Sequence, residues 1–176
     1  MNKSRGYSTR QAMQRKMAEE IHVADMVEVM EFYPDDMTVD VKPLVMAVRE
    51  ERFVSRPPIL KVPVATLGSR EFFIRPWYKA GDVGVIVYLD YDSDNAFASG
   101  EEAEPLTTGC HTGKDGIFIG GIMCGGNHIE GIPEETMAIG AGENYMALGK
   151  EGIAIHGKIK LDGELEVNGK AVMLVE

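Results

Sequence analysis

The last 24 residues of the chain, 153–176, repeat a pattern of six residues, and this repeat limits the possible folds more than any other feature. The four copies read IAIHGK, IKLDGE, LEVNGK and AVMLVE. Because side chains alternate between the two faces of a strand, a period of six keeps equivalent positions on one face. The first and third positions are apolar in every copy: Ile153/Ile155, Ile159/Leu161, Leu165/Val167 and Ala171/Met173.

Turn-forming residues occupy the fourth and fifth positions of the first three copies: His156-Gly157, Asp162-Gly163 and Asn168-Gly169. Asp-Gly and Asn-Gly are typical of two-residue hairpin loops. A hairpin at Asp162-Gly163, however, would pair Leu161 with Glu164, and paired residues share a face. Because such pairing would mix acidic with apolar side chains, two arrangements remain: a solenoid-like climb, and a meander with three-residue loops.

Apolar strips this short cannot bury their own faces in one chain, since repeat units are stable only against neighbours. Three chains around a common axis would supply those neighbours by symmetry alone. We therefore expect the segment 153–176 to form a short trimeric β-helix or β-prism, which makes the protein a homotrimer. A small sheet that caps the rest of a single chain is the alternative.

Charge is distributed unevenly along the chain, which has a formal net charge of −10. Residues 1–16, named here the basic arm, contain five basic residues and no acidic residue, so the remaining 160 residues carry −15. The acidic body argues against a nucleic-acid partner, because phosphate binding needs a positive surface. The arm is expected either to dock onto an acidic partner or to stay in solvent. Its basic residues are Lys3, Arg5, Arg10, Arg15 and Lys16.

Local patterns divide the chain into four parts and predict a mainly β fold. Residues 1–25 form an N-terminal helical arm, because apolar residues recur at helical spacing between Ser8 and Ala24. Residues 26–124 contain about five short strands, which favour a small Greek-key barrel of the OB type. Residues 125–152 form a glycine-rich junction, and residues 153–176 form the hexad-repeat spike. The expected strands include Val27–Val29, Met37–Val41, Ile59–Val64, Phe72–Ile74, Val83–Leu89 and Ile117–Met123.

The segment from Glu28 to Met123 resembles the central spike proteins of contractile-tailed phages and related tail-like particles. The segment Gly81–Val87 resembles that family's glycine-aspartate turn into a buried strand. The motifs that follow resemble the family's aspartate-asparagine loop, the histidine after it and the last barrel strand. Those motifs are Asp92-Ser93-Asp94-Asn95, Gly100, Gly109-Cys110-His111 and Asp115-Gly116, followed by the hexad repeat.

This resemblance implies a structural virion protein at the tip of the phage tail, made in the host cytoplasm and without enzymatic activity. An OB-fold barrel would cap the tail tube, and a trimeric β-helix would lead the tube into the host envelope when the sheath contracts. The implied partners are two further copies of the chain, the baseplate hub and tube proteins, and the host envelope. The chain departs from long spikes because its β-tail is short and lacks a His-x-His pair at the tip.

No catalytic, cofactor or metal site is predicted, although two groups of residues partly match known metal-binding patterns. Asp90, Asp92, Asp94 and Glu101 follow the ligand spacing of a calcium loop. A strand is expected before this loop where a calcium-binding motif has a helix, so a solvated acidic loop is the favoured interpretation. Zinc is disfavoured because no Cys-x-x-Cys pair is present. The residues considered for zinc are Cys110, His111, Cys124 and His128, and His156 is the candidate for a histidine cluster on a threefold axis.

A ligand-binding OB module, for an oligosaccharide or another small polymer, is the alternative function. The state of assembly separates the two functions, because a binding module can act as a monomer whereas a spike of this kind cannot. No Ser-His-Asp, Cys-His or paired-carboxylate arrangement is identifiable by spacing, so an enzyme is not expected.

Overall fold

The computed structural model describes residues 10, 13, 21–49, 51–69, 71–125, 128–168 and 170–171. Strands hold 43 % of the residues and helices 5 %, which confirms the mainly β class. The chain divides into two compact units, residues 1–126 and 127–176. The helix predicted from Ser8 to Ala24 lies largely outside the described residues, and Ala24 is the first residue of a strand. No helix in the described part is long and apolar enough to cross a membrane.

From residue 21 onward, the described residues of the first unit form nine strands and one short helix. In chain order these are β1 (Ala24–Tyr33), β2 (Thr38–Pro43), β3 (Ala47–Arg49), β4 (Arg52–Val54), β5 (Ile59–Pro63), β6 (Leu67–Gly68), β7 (Phe73–Ile74), β8 (Val83–Tyr88), α1 (Asp94–Ser99) and β9 (Gly116–Gly120). The strand segments expected from alternating apolar residues are all present within a few residues. The β3–β4 hairpin, strand β6 and helix α1 were not predicted.

Five of these strands form one antiparallel sheet in the order β5-β2-β1-β8-β9, which curls into a half-barrel. Strand β1 lies at the centre and pairs with β2 on one side and β8 on the other. The two edges of the sheet approach each other, because Val64 forms a parallel bridge with Phe118 just after β5. The backbone N–H of Ala65 also donates to the Phe118 carbonyl at 2.9 Å.

The core of the first unit lies inside this curl. Alternate residues of each strand point inward, as the period of two predicts. Phe118 is fully buried and its ring meets Tyr78 edge-on, with 5.1 Å between ring centroids. Gly84 faces the same ring, and a Cβ there would overlap it, so only glycine lets β8 and β9 pack this closely. The buried core consists of Val27, Val29, Val39, Val41, Val62, Val64, Ile86, Tyr88 and Phe118.

A polar network ties the loop before β5 to the start of β1. The Arg56 guanidinium donates to both Asp25 carboxylate oxygens, at 2.5 and 2.7 Å, and the Tyr88 hydroxyl donates to the same carboxylate at 2.7 Å. Burial alone would raise the pKa of Asp25, but the hydrogen bonds from Arg56 and Tyr88 and the Arg56 charge outweigh it and leave that pKa lowered. Burial, together with the bond to Asp25, raises the pKa of Tyr88.

An Asp25→Asn variant is expected to lose about 1.5–3 kcal/mol of unfolding free energy at pH 7, the range for hydrogen bonds to a charged group. Because the pKa of Asp25 is lowered by folding, its contribution is present above the unfolded value of about 3.9 and is lost as pH falls through the folded value. The gap between the unmodified chain and the variant should therefore shrink below about pH 4. Urea unfolding of both proteins from pH 7 to pH 2 measures this difference in unfolding free energy. A difference that does not change with pH would contradict this account.

The second unit contains a three-stranded antiparallel sheet of β10 (Met137–Ala141), β11 (Asn144–Gly149) and β12 (Gly152–His156). A separate hairpin of β13 (Glu166–Val167) and β14 (Lys170–Ala171) follows it. The sheet connections contain two residues each, since Ala141 pairs with Asn144 and Gly149 pairs with Gly152. The part expected to be a glycine-rich junction, 125–152, thus contains two complete strands and the first residue of the third.

Candidate functional site

The three-stranded sheet of the second unit has one face on which two complete rows consist of large apolar residues. Its backbone register aligns two rows of three residues across β10, β11 and β12, and residues aligned in this way share a face. The first row is Met137, Leu148 and Ile153, and the second row is Ile139, Met146 and Ile155. We call these six side chains the large-residue face.

The large-residue face is uncovered in the single chain. Met137 is 64 % exposed, Ile153 is 65 % exposed and Ile155 is 57 % exposed, while Met146 and Leu148 on the central strand are half-buried. Among the described residues of this unit, only Ala147 is buried. An antiparallel sheet normally packs its apolar face against a core, and contiguous exposed apolar patches mark interaction sites. This face therefore has the properties of an interface.

The opposite face of the same sheet contacts residues of its own chain. The Tyr145 hydroxyl donates to the Gly131 carbonyl at 3.1 Å, so the segment before β10 approaches this side. The His156 ring stacks on Tyr145, with 4.4 Å between centroids. A groove of about 490 Å³ separates Pro133 and Thr136 from Ala147 on this side. His156, the candidate for a threefold histidine cluster, therefore lies on the face opposite the large-residue face.

The later hexads also leave their apolar residues exposed. Ile159 and Leu161 lie outside any strand, at 56 % and 61 % exposure. The third copy, together with Ala171 of the fourth, forms the β13–β14 hairpin, which pairs Val167 with Lys170. This two-residue connection differs from the predicted three-residue loop or solenoid climb. The local reason is Asn168, whose φ of +53° is the left-handed conformation that such hairpin turns require.

Part of this surface was visible in the sequence but was not recognised. Each strand of the sheet contains a large apolar residue, an alanine and another large apolar residue: Met137-Ala138-Ile139, Met146-Ala147-Leu148 and Ile153-Ala154-Ile155. Only the third triplet falls inside the hexad repeat. The first two are spaced differently, so a search for period six assigns them to the junction.

In the first unit, one group of carboxylates converges beside helix α1. Asp92, Asp94 and Asp115 each place an oxygen within 4.8 Å of the others. Asp115 also accepts a hydrogen bond from the Thr112 hydroxyl at 2.6 Å, and Asp92 accepts from the Asp94 backbone N–H at 3.3 Å. Three carboxylate oxygens could contribute to a calcium site, but this ion takes six to eight oxygen ligands.

The predicted calcium-loop set is only partly brought together. Asp92 and Asp94 belong to the carboxylate group, whereas Asp90 lies 3.6 Å from His111 Nδ1 and Glu101 lies beyond the end of α1. The third member, Asp115, comes from the residue before β9 and was not in the predicted set. Of the residues considered for zinc, His111 faces Asp90, His128 Nε2 lies 3.0 Å from Glu130, and Cys110 is exposed.

Comparison with models of known protein families finds none that matches this chain. A search of curated proteins likewise finds no significant relative.

Proposed function

We propose that this chain is the central spike at the tip of a contractile phage tail or a related particle, and that it acts as a non-enzymatic homotrimer. The observation that carries the proposal is the large-residue face, which is followed along the chain by the exposed apolar residues Ile159, Leu161, Leu165 and Val167 of the hexad repeat. A unit with one buried residue in its described part has too little core to be stable alone. Two further copies of the same unit would bury the face by symmetry.

The first unit supports the expected OB-type barrel through its strand order. Strands β1, β2 and β5 lie side by side, and β8 returns through a long connection to lie on the other side of β1. This is the order of a Greek key. The fifth strand, β9, lies at one edge of the sheet and β5 lies at the other. The bridge between Phe118 of β9 and Val64, just after β5, brings these two edges close together. A five-stranded, partly open Greek-key barrel is the description of an OB fold.

In this proposal the barrel closes the end of the tail tube. The second unit forms the tip of the particle and meets the host envelope before the tube does. The acidic body would contact hub and tube proteins, and the trimer would act through its mechanical stability instead of through chemistry.

Native mass spectrometry of the intact chain tests the proposal. We expect a species with the mass of three chains at micromolar concentration. A two-chain species would keep the large-residue face as an interface but would exclude the threefold spike. A single-chain species at all concentrations would contradict the proposal and favour the ligand-binding module.

A further inference from the structure

Within the described residues, the outer strands of the second unit, β10 and β12, each have one unpaired edge. Strand β11 pairs with both of them, and the sheet ends at β10 on one side and at β12 on the other. No backbone hydrogen bond joins either outer edge to another described segment. Because every second N–H and C=O group of an edge strand points away from its neighbour, each edge offers a row of donors and acceptors.

Neither strand has the features that normally protect an exposed edge. Natural sheets place lysine, proline or a bulge there, which prevents pairing with another chain. Strand β10 reads Met-Ala-Ile-Gly-Ala and β12 reads Gly-Ile-Ala-Ile-His, so they contain no proline, lysine, arginine or acidic residue. All ten residues are exposed, and neither pairing with β11 contains a bulge.

The edges of the five-stranded sheet in the first unit are protected. Strand β5 contains Lys61 and ends at Pro63. Phe118 of β9 bridges to Val64 and accepts a hydrogen bond from the backbone N–H of Ala65. Unprotected edges are therefore a property of the second unit, and they indicate pairing with a further strand.

A second copy of the chain supplies a matching edge. Strands β10 and β12 run in the same direction, because each is antiparallel to β11. A threefold axis along the strands preserves this direction, so β12 of one copy would lie parallel to β10 of the next. Such contacts join the copies head to tail and close into a ring. A twofold axis would pair one edge with itself and leave the other edge uncovered.

The size of this ring fits the large-residue face. Three copies of a three-stranded sheet give nine strands, and a barrel of about eight strands has an interior that side chains just fill. Each strand directs two large apolar side chains to the large-residue face. A ring of nine strands would enclose these side chains as a packed core and place Tyr145 and His156, on the opposite face, at its outer surface.

We propose that β12 of each copy pairs with β10 of the next copy, which closes three sheets into one nine-stranded barrel around the large-residue face. This inference rests on the proposed trimer and specifies how its copies are joined. Backbone hydrogen bonds between edges contribute affinity, as in other cases of strand addition, and the apolar side chains contribute packing. Sheets that met only through their faces would leave all six edges of the trimer in solvent.

Residue-resolved amide hydrogen exchange of the intact chain tests the edge pairing. Strand β11 is paired on both sides within one chain, so its protected amides are the internal control. Edge pairing predicts that consecutive amides of β10 and β12 exchange within about tenfold of the β11 amides, because the outward N–H groups bond to the neighbouring copy.

Contact through the faces alone would protect only alternate amides in β10 and β12. That result, in a protein with the mass of three chains, would overturn the edge pairing but leave the proposed function standing. A protein with the mass of one chain would overturn both.

A proline variant tests the same contact through the assembly itself. Ala141 and Asn144 close a two-residue turn and exchange both hydrogen bonds, so the N–H of Ala138 points away from β11. A free edge tolerates Ala138→Pro. In the barrel the substitution removes one donor per copy, so we expect association at least about tenfold weaker than for Ala138→Glu, which keeps the N–H. Equal association of the two variants, with β11 still protected in both, would contradict the edge pairing.

Discussion

An Ile139→Glu variant is expected to sediment as a single chain at micromolar concentration, whereas the unmodified chain is expected to sediment as three. Ile139 lies in the second row of the large-residue face, between Met137 and the end of β10. In the proposed trimer the substitution would bring three carboxylates into an apolar interior, and an unpaired buried charge costs several kcal/mol. We expect association to weaken on the order of a thousandfold or more.

The matched control is Ala138→Glu, at the neighbouring residue of the same strand. Ala138 is also exposed but points to the opposite face, so the variant adds the same charge without entering the interface. It should remain trimeric. If both variants dissociate, the added charge weakens association whichever face of the sheet it lies on. If neither variant dissociates, the large-residue face is not the interface.

A Phe118→Ala variant is expected to destabilise the first unit by about 3–5 kcal/mol, the usual cost of deleting a buried phenylalanine ring. Phe118 is fully buried in the curl of the sheet, where Tyr78 and Gly84 contact its ring. The cavity left behind cannot collapse easily, because Gly84 has no side chain to fill it. Chemical unfolding followed by Trp77 fluorescence measures the change, since Trp77 is the single tryptophan and its ring contacts Phe32 of β1.

Phe53→Ala provides the comparison for this measurement. Phe53 is in strand β4 and is 77 % exposed, so the same chemical change removes little buried surface. We expect a change within about 0.5 kcal/mol, as for other surface substitutions. Similar losses in the two variants would mean that Phe118 is not the centre of the core.

The strands of the five-stranded sheet could be predicted because their signal is local. Val27 and Val29 alternate with polar residues in β1, Val39 and Val41 do so in β2, and β8 is a continuous apolar run. The order of the strands could not be read in the same way. It depends on pairings between distant residues, such as Glu28 with Val83, which no local pattern encodes.

The large-residue face was only half predicted from the sequence, and the later hexads were predicted in a different arrangement, each for a physical reason. Met137-Ala138-Ile139 and Met146-Ala147-Leu148 join the first hexad through strand register, and register is a property of the turns between strands. In the later hexads the local signal prevailed over the repeat. The repeat predicted a three-residue loop or a solenoid-like climb, but the turn preference of Asn168 produces a two-residue hairpin. Asp115 likewise meets Asp92 and Asp94 through folding, although more than twenty residues of sequence separate it from them.

The most direct test of the account compares the solution masses of the intact chain and of a chain that ends at Gly149. The truncation removes Ile153, Ile155 and every later hexad but leaves the first unit complete. The account predicts three chains for the intact protein and one folded chain for the truncation, with the Trp77 unfolding transition retained. An intact protein that is already monomeric, or a truncation that remains trimeric, would contradict the claim that the hexad repeat, residues 153–176, holds three copies together.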